Sequence, residues 1–170
     1  MAENEALDAY LNDHMAASAA AVELVERIST NNEGTPLAAH IERLREEIEA
    51  DRATLAEVIE AFGVTPSKPK QVAGKVLETL SRSRLNERVT GSADVTRLME
   101  IETLCLGIEG KAELWRALQQ VEAVRPQLAG FDLAALVLRA TAQRSALEPF
   151  RLQAAAEALA PASPVPDVGG

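Results

Sequence analysis

Long segments of this sequence carry apolar residues at every third or fourth position. Residues 36–62 show the pattern most clearly, in a stripe of seven large side chains: Leu37, Ile41, Leu44, Ile48, Leu55, Ile59 and Phe62. That period buries one face of an α-helix. Aromatic residues make up only 3% of the chain, whereas alanine and leucine are abundant, and this bias favours helices over strands. The sequence therefore predicts an all-α protein.

Turn-forming residues divide the pattern into four long helices and a shorter one. Thr35 followed by Pro36 is typical of a helix start, and Ser92 or Asp94 can cap a later one. The long helices are predicted over residues 3–28, 36–62, from the cap near 92–94 to about 123, and 132–159; the short helix is predicted over residues 69–85. Residues 1–159 are expected to form a single domain. The Pro- and Gly-rich residues 160–170 are expected to be a disordered tail.

The lengths of the connections predict how the helices are arranged. Short turns join helices 1 and 2, and helices 3 and 4, so each pair is expected to be antiparallel. Residues 63–91 separate helix 2 from helix 3 and are long enough to run back along the bundle. Two antiparallel hairpins joined by one long crossover form the ferritin-like four-helix bundle.

Charge and composition exclude several classes of function. The formal net charge is −9, which repels nucleic acid and anionic lipid. We therefore expect neither as a partner. The single cysteine, Cys105, rules out an intrachain disulfide and a multi-cysteine zinc site. No apolar run approaches the roughly 18 residues of a membrane span, and the acidic start, MAENEALD, is unlike a signal peptide. A cytoplasmic protein is expected.

Three polar residues fall on the predicted apolar faces near the middle of their helices. They are His14 on helix 1, Asp51 on helix 2 and Glu109 on helix 3, and Glu47 and Glu102 border the same faces. Unpartnered burial of such groups costs a few kcal/mol. We therefore expect His14, Asp51 and Glu109 to converge.

Helix 4 is harder to orient from its sequence. The pattern places Val137, Thr141, Arg144 and Glu148 on one side, with Leu133 and Ala140 beside them. Gln143 or Arg144 would complete the polar cluster from this helix.

The cluster can be interpreted in several ways. A bundle that holds two iron or manganese ions uses Glu-x-x-His on two of its helices, but position 11, three before His14, is Leu, and so is position 37, three before His40. A single divalent ion (Fe, Mn or Zn) held by His14, Asp51 and Glu109, with Glu47 or Glu102, remains an alternative, as does acid–base catalysis. The interpretation we prefer is a buried polar network that fixes helix register, without metal or cofactor. A small molecule bound in an apolar pocket is a further possibility.

Helix 3 carries more apolar residues than one face needs. We expect three of them to be exposed: Leu104, Leu114 and Leu118. On the surface they would contact the crossover or a second subunit, so a homodimer is an open alternative. Gly107 and Gly110 are interpreted as positions of close helix approach. Cys105 is interpreted as a core thiol.

Three segments resemble uncharacterised bacterial ferritin-like proteins: YLNDHMAASAAAVELVERI, HIERLREEIEADRATLAEVIEAFGV and LMEIETLCLGIEGKAELWRAL. The middle segment is similar to the second helix of stress-associated members, which carries Glu-x-x-His where they bind metal. Here the third residue after Glu47 is Ala50, and Asp51 comes next, so the histidine is missing. The resemblance implies the ferritin-like fold, a degenerate metal site and a stress-related context, but no reaction.

Overall fold

The computed structural model describes residues 2–65 and 92–160, which form an all-helical bundle. Its four long helices are α1 (Ala2–Asn31), α2 (Pro36–Ala61), α3 (Ala93–Val121) and α4 (Leu133–Leu159). Two short 3-10 turns, Glu122–Val124 and Pro126–Leu128, join α3 to α4. The described residues contain no strand. None of their helices combines the length and apolar character that a bilayer crossing requires.

Side-chain caps begin three of the helices, and the caps of α2 and α3 are among those that the sequence predicts. The Thr35 hydroxyl accepts a hydrogen bond from the Ala38 amide at 3.2 Å, and Pro36 occupies the first turn, where it needs no amide partner. Ser92 caps α3 and Asp132 caps α4 in the same way. After α2, Gly63 adopts a φ of +65°, a conformation that favours glycine. Local sequence signals thus determine the helix boundaries.

Contacts between the helices give their directions. Arg27, near the end of α1, pairs with Glu100, near the start of α3, so these helices are antiparallel. Arg97, near the start of α3, pairs with Glu157 at the end of α4, which makes that pair antiparallel as well. The start of α2 lies beside the start of α3, around Leu37 and Arg97. Helices α2 and α3 are therefore parallel, and the end of α2 lies far from the start of α3.

Some predictions fall on parts of the chain outside the described residues. These are the long crossover, the short helix over residues 69–85 and the tail beyond residue 160. They remain predictions.

The core consists of two apolar clusters stacked along the bundle. The first includes Ile28, Ile41, Ile101 and Leu147. The second includes Leu11, Val58, Leu118 and Leu133, together with Trp115. The predicted inner face of α2 is confirmed, because every stripe residue except Phe62 is buried. On α3 the buried residues include Leu98, Ile101, Cys105, Ile108 and Ala112.

The side predicted for α4 is wrong in four of its residues, whereas Leu133 and Ala140, which were predicted to lie beside them, are buried. Thr141 is exposed, and Val137, Arg144 and Glu148 are only half-buried. The buried face is instead made by Leu133, Leu136, Ala140, Gln143, Leu147 and Ala154. The apolar pattern of α4 is misleading because two of its leucines, Leu138 and Leu152, are 70% and 54% exposed. Apolar character alone therefore does not identify the inner face of this helix.

Leu104, Leu114 and Leu118 are also placed differently from the prediction. All three are buried within the subunit, in the two core clusters. Since α3 contacts both α1 and α4, it needs a wider apolar face than a helix with one neighbour. These leucines therefore do not supply a surface for a second subunit, and the homodimer stays untested.

Candidate functional site

A layer of polar side chains lies between the two apolar clusters, at mid-height of the bundle. We call Glu47, Asp51, Lys111, Arg139 and Gln143 the polar layer. They come from α2, α3 and α4. Asp51 and Gln143 are almost fully buried, at 2% and 5% exposed. Such burial requires partners within the protein, because water cannot reach these groups.

Asp51 is the centre of the polar layer. Its Oδ2 atom accepts hydrogen bonds from the Lys111 ammonium and, at 3.3 Å, from Gln143 Nε2. Its Oδ1 atom accepts a hydrogen bond from the Arg139 guanidinium. Gln143 also donates to Glu47 Oε2 at 2.9 Å, and its Oε1 atom accepts from Lys111. Both carboxylate oxygens of Asp51 are thus engaged, two of the three partners being cations.

The polar layer holds charges of both signs. The two cations that contact Asp51 give its immediate surroundings one positive charge in excess, which Glu47 offsets from the exposed edge. Burial lowers the pKa of Lys111, and the neighbouring Asp51 carboxylate opposes that shift. Contacts between opposite charges therefore hold the layer together.

Sequence reasoning missed Lys111 and Arg139. Lys111 lies in a series with alternating spacings of four and three that otherwise holds large apolar residues: Leu104, Ile108, Trp115 and Leu118. That spacing marks one helix face and would have identified Lys111. Arg139 precedes Gln143 by four residues, one helical turn, so a correct face for α4 would have revealed it as well.

His14 lies near the polar layer without entering it. It is half-buried on α1, and its ring packs edge-on against Tyr10 with ring centres 4.7 Å apart. Burial lowers its pKa, and Asp13 partly opposes the shift. His14 and Asp51 line the same cavity, so the predicted proximity of these two residues is present, although no hydrogen bond joins them among the described contacts.

The structure separates the other predicted residues from the layer. Glu109 is exposed and pairs with Arg116 of its own helix at 3.2 Å, so its predicted convergence with His14 and Asp51 is wrong. Glu102 is exposed and pairs with Arg151 at 3.4 Å. Arg144 pairs with Glu148 at 2.8 Å, so of the two α4 residues predicted for the cluster only Gln143 joins the polar layer. A long charged side chain at the edge of a helix face can keep its charged end in water, which costs less free energy than burying it beside a partner.

A cavity of about 270 Å³ adjoins the polar layer between α1, α2 and α3. Small residues of α1 and α3 leave the space open, and its walls are otherwise mainly apolar. The small residues are Ala17, Ser18, Ala21, Gly107 and Gly110; the larger apolar ones are Ile48, Leu55, Leu106, Ile108, Leu114 and Trp115. Asp51, Arg52, Lys111 and His14 supply its polar groups.

The two glycines of α3 do not have the role that the sequence suggests. A methyl group built on Gly107 or Gly110 would meet no atom within 4 Å. Close helix approach would instead place a neighbour against that position. The interpretation of these glycines as helix-contact points is therefore wrong, and their effect is to widen the cavity.

Comparison with protein-family models, with curated proteins and with solved structures finds no match for this chain. In residues 2–65 and 92–160, no three His, Cys, Asp or Glu side chains are grouped closely enough to hold a metal ion. Function must therefore be argued from the polar layer and the cavity.

Proposed function

We propose that this protein is a non-catalytic member of the ferritin-like bundles, in which an internal ion-pair network occupies the place of a metal centre. The observation that carries this proposal is the contact of Lys111 and Arg139 with Asp51. These two basic side chains supply inside the bundle the positive charge that a metal ion would otherwise supply to the carboxylate.

The donor set of the polar layer does not suit a divalent metal ion. Iron, manganese and zinc sites in bundles need several free carboxylate or imidazole donors. Both oxygens of Asp51 already accept hydrogen bonds, and Glu47 accepts one from Gln143. A metal ion would also lie beside the Lys111 ammonium, where like charges repel. These features support the ionic network over the single-ion alternative that the sequence left open.

The order and directions of the helices support the ferritin-like part of the proposal. Helices α1 and α2 form one antiparallel pair, α3 and α4 the other, and α2 runs parallel to α3. The end of α2 and the start of α3 therefore lie at opposite ends of the bundle, as in ferritin-like folds, where a long crossover joins these two helices. The stress-related context implied by the resemblance stays a prediction.

Metal analysis tests the proposal. Protein purified without chelator should contain far less than one equivalent of iron, manganese or zinc, and added metal should leave its melting temperature unchanged, because a ligand that binds the native state raises it. Stoichiometric metal that is lost in His14→Ala but retained in His40→Ala would contradict the proposal. His40 is the matched control, because it lies at the far end of the bundle beside Phe150.

A further inference from the structure

The cavity beside the polar layer has a charge that is unexpected for this chain. Among the described residues, its charged lining consists of Arg52, Lys111 and Asp51, two cations against one carboxylate. The chain as a whole carries a formal net charge of −9. An excess of positive charge at one cavity of an acidic protein favours an anionic occupant.

Lys111 brings a hydrogen-bond donor with spare capacity to the same cavity. Its ammonium has three N–H donors, and the described residues give it two acceptors, on Asp51 and Gln143. Trp115 also lines the cavity, but its indole nitrogen is sealed from solvent, so its ring rather than its N–H meets an occupant. Lys111 and Trp115 are four residues apart on α3, so their side chains are neighbours on one helix face.

We propose that this cavity binds a small monocarboxylate with an apolar body. The carboxylate accepts a hydrogen bond from Lys111 beside the Trp115 ring, and the hydrocarbon part lies along Ala17, Ala21 and Gly110. This proposal goes beyond the non-catalytic bundle proposed above and does not depend on the absence of metal.

The volume of the cavity sets the size of the ligand. An apolar cavity of about 150 Å³ holds benzene, so the cavity of about 270 Å³ accommodates a molecule of roughly ten non-hydrogen atoms. Octanoate and phenylacetate match that size and chemistry. The exposed Leu106, 74% accessible at the edge of the cavity, extends the apolar surface toward solvent.

Intrinsic fluorescence provides a direct assay, because Trp115 is the single tryptophan of the chain. Titration with octanoate or phenylacetate should change its emission saturably and raise the melting temperature. Octan-1-ol has a similar body without the charge, and octylamine carries the opposite charge. We expect octanol to bind about tenfold more weakly than octanoate, and octylamine not to bind measurably.

Two substitutions test the location of the site. Gly110→Leu puts an isobutyl group into the cavity and should weaken octanoate binding by about tenfold or more, whereas Gly110→Ala adds one methyl group and should leave most of the affinity. Both replace a helical glycine, so neither is expected to unfold α3. Gly107→Leu is a second blocking variant. Arg52→Gln, on the exposed side, should weaken octanoate but not octanol.

Each of the following results would overturn the proposal: no saturable change with either carboxylate, equal affinity for octanoate and octylamine, or binding that survives both leucine variants. Equal affinity for octanol and octanoate would overturn the assignment to carboxylates.

Discussion

At the scale of single residues, Asp51 is the group whose loss the fold should tolerate least. Asp51→Ala would leave Lys111 and Arg139 without their buried counter-charge, and we expect it to lower the free energy of unfolding by about 3 kcal/mol. Urea denaturation followed by circular dichroism measures the change. Glu46→Ala, an exposed acid on the same helix, is the matched control and should change stability by less than about 0.5 kcal/mol. A neutral effect of Asp51→Ala would show that the polar layer contributes no stability.

The two histidines should make stability depend on pH. Burial is the main cause that lowers the pKa of both His14 and His40 below the ordinary 6.5. The charge of Asp13 opposes this shift at His14. At His40, Arg43 adds to the shift and Glu47 opposes it. The unfolded chain therefore binds protons more readily, so stability is complete above pH 6.5 and declines as pH falls below it. Urea midpoints between pH 7.5 and 5 should show this decline.

The histidine variants supply the control for that experiment. These are the only two histidines of the chain, and His14→Gln with His40→Gln should flatten the profile in this range. An unchanged slope in the double variant would assign the pH dependence to carboxylates instead.

The burial of a polar residue could be predicted from the sequence where its side chain is too short to reach water. Asp51 is short and lies within the apolar stripe of α2, so it cannot reach water, and its burial was predictable. Glu109 lies at the edge of the α3 face, and its longer chain reaches Arg116 at the surface. Residue spacing alone cannot distinguish these two outcomes, because it gives the direction of a side chain and not the position of its charged end.

At the scale of helices, sequence pattern was most informative where large apolar residues alternate with charged ones. Helix α2 has that pattern, and its buried face was predicted almost completely. Helix α4 is rich in alanine, which is compatible with either face, and its inner face includes Gln143. Its orientation depends on tertiary contacts with Asp51 and Lys111 that a single-helix pattern does not contain.

Helix α4 also contains a position at which a substitution should stabilise the protein. Pro149 is exposed inside this helix, where its ring removes a backbone hydrogen bond and opposes helical geometry. Proline is about 3 kcal/mol less favourable than alanine in a helix interior, and the greater freedom that alanine gives the unfolded chain offsets part of the gain. Pro149→Ala should therefore raise the free energy of unfolding by about 1–2 kcal/mol, measured by thermal and urea denaturation.

Pro126 provides the comparison for Pro149. It begins a 3-10 turn, where its fixed φ suits the backbone and no amide donor is lost. Pro126→Ala should give no gain and a small loss, because alanine increases the freedom of the unfolded chain. Equal gains from both substitutions would contradict the helix-interior explanation.

At the scale of the whole molecule, the polar layer divides one bundle core into two apolar clusters. Replacing its buried members together, in Asp51→Leu/Lys111→Met/Gln143→Leu, should join the clusters. Exchange of a buried ion pair for apolar residues of similar volume is commonly neutral or stabilising by about 1–4 kcal/mol. The remaining cation, Arg139, is 38% exposed and can turn to solvent, so the triple variant should be at least as stable as the wild type. Asp51→Leu alone should be destabilised, since it leaves the more deeply buried Lys111 without its counter-charge. If ionic contacts fix helix register, the triple variant should also show poorer dispersion of its NMR amide signals. A triple variant as unstable as the single one would show that the layer stabilises the bundle through more than charge pairing.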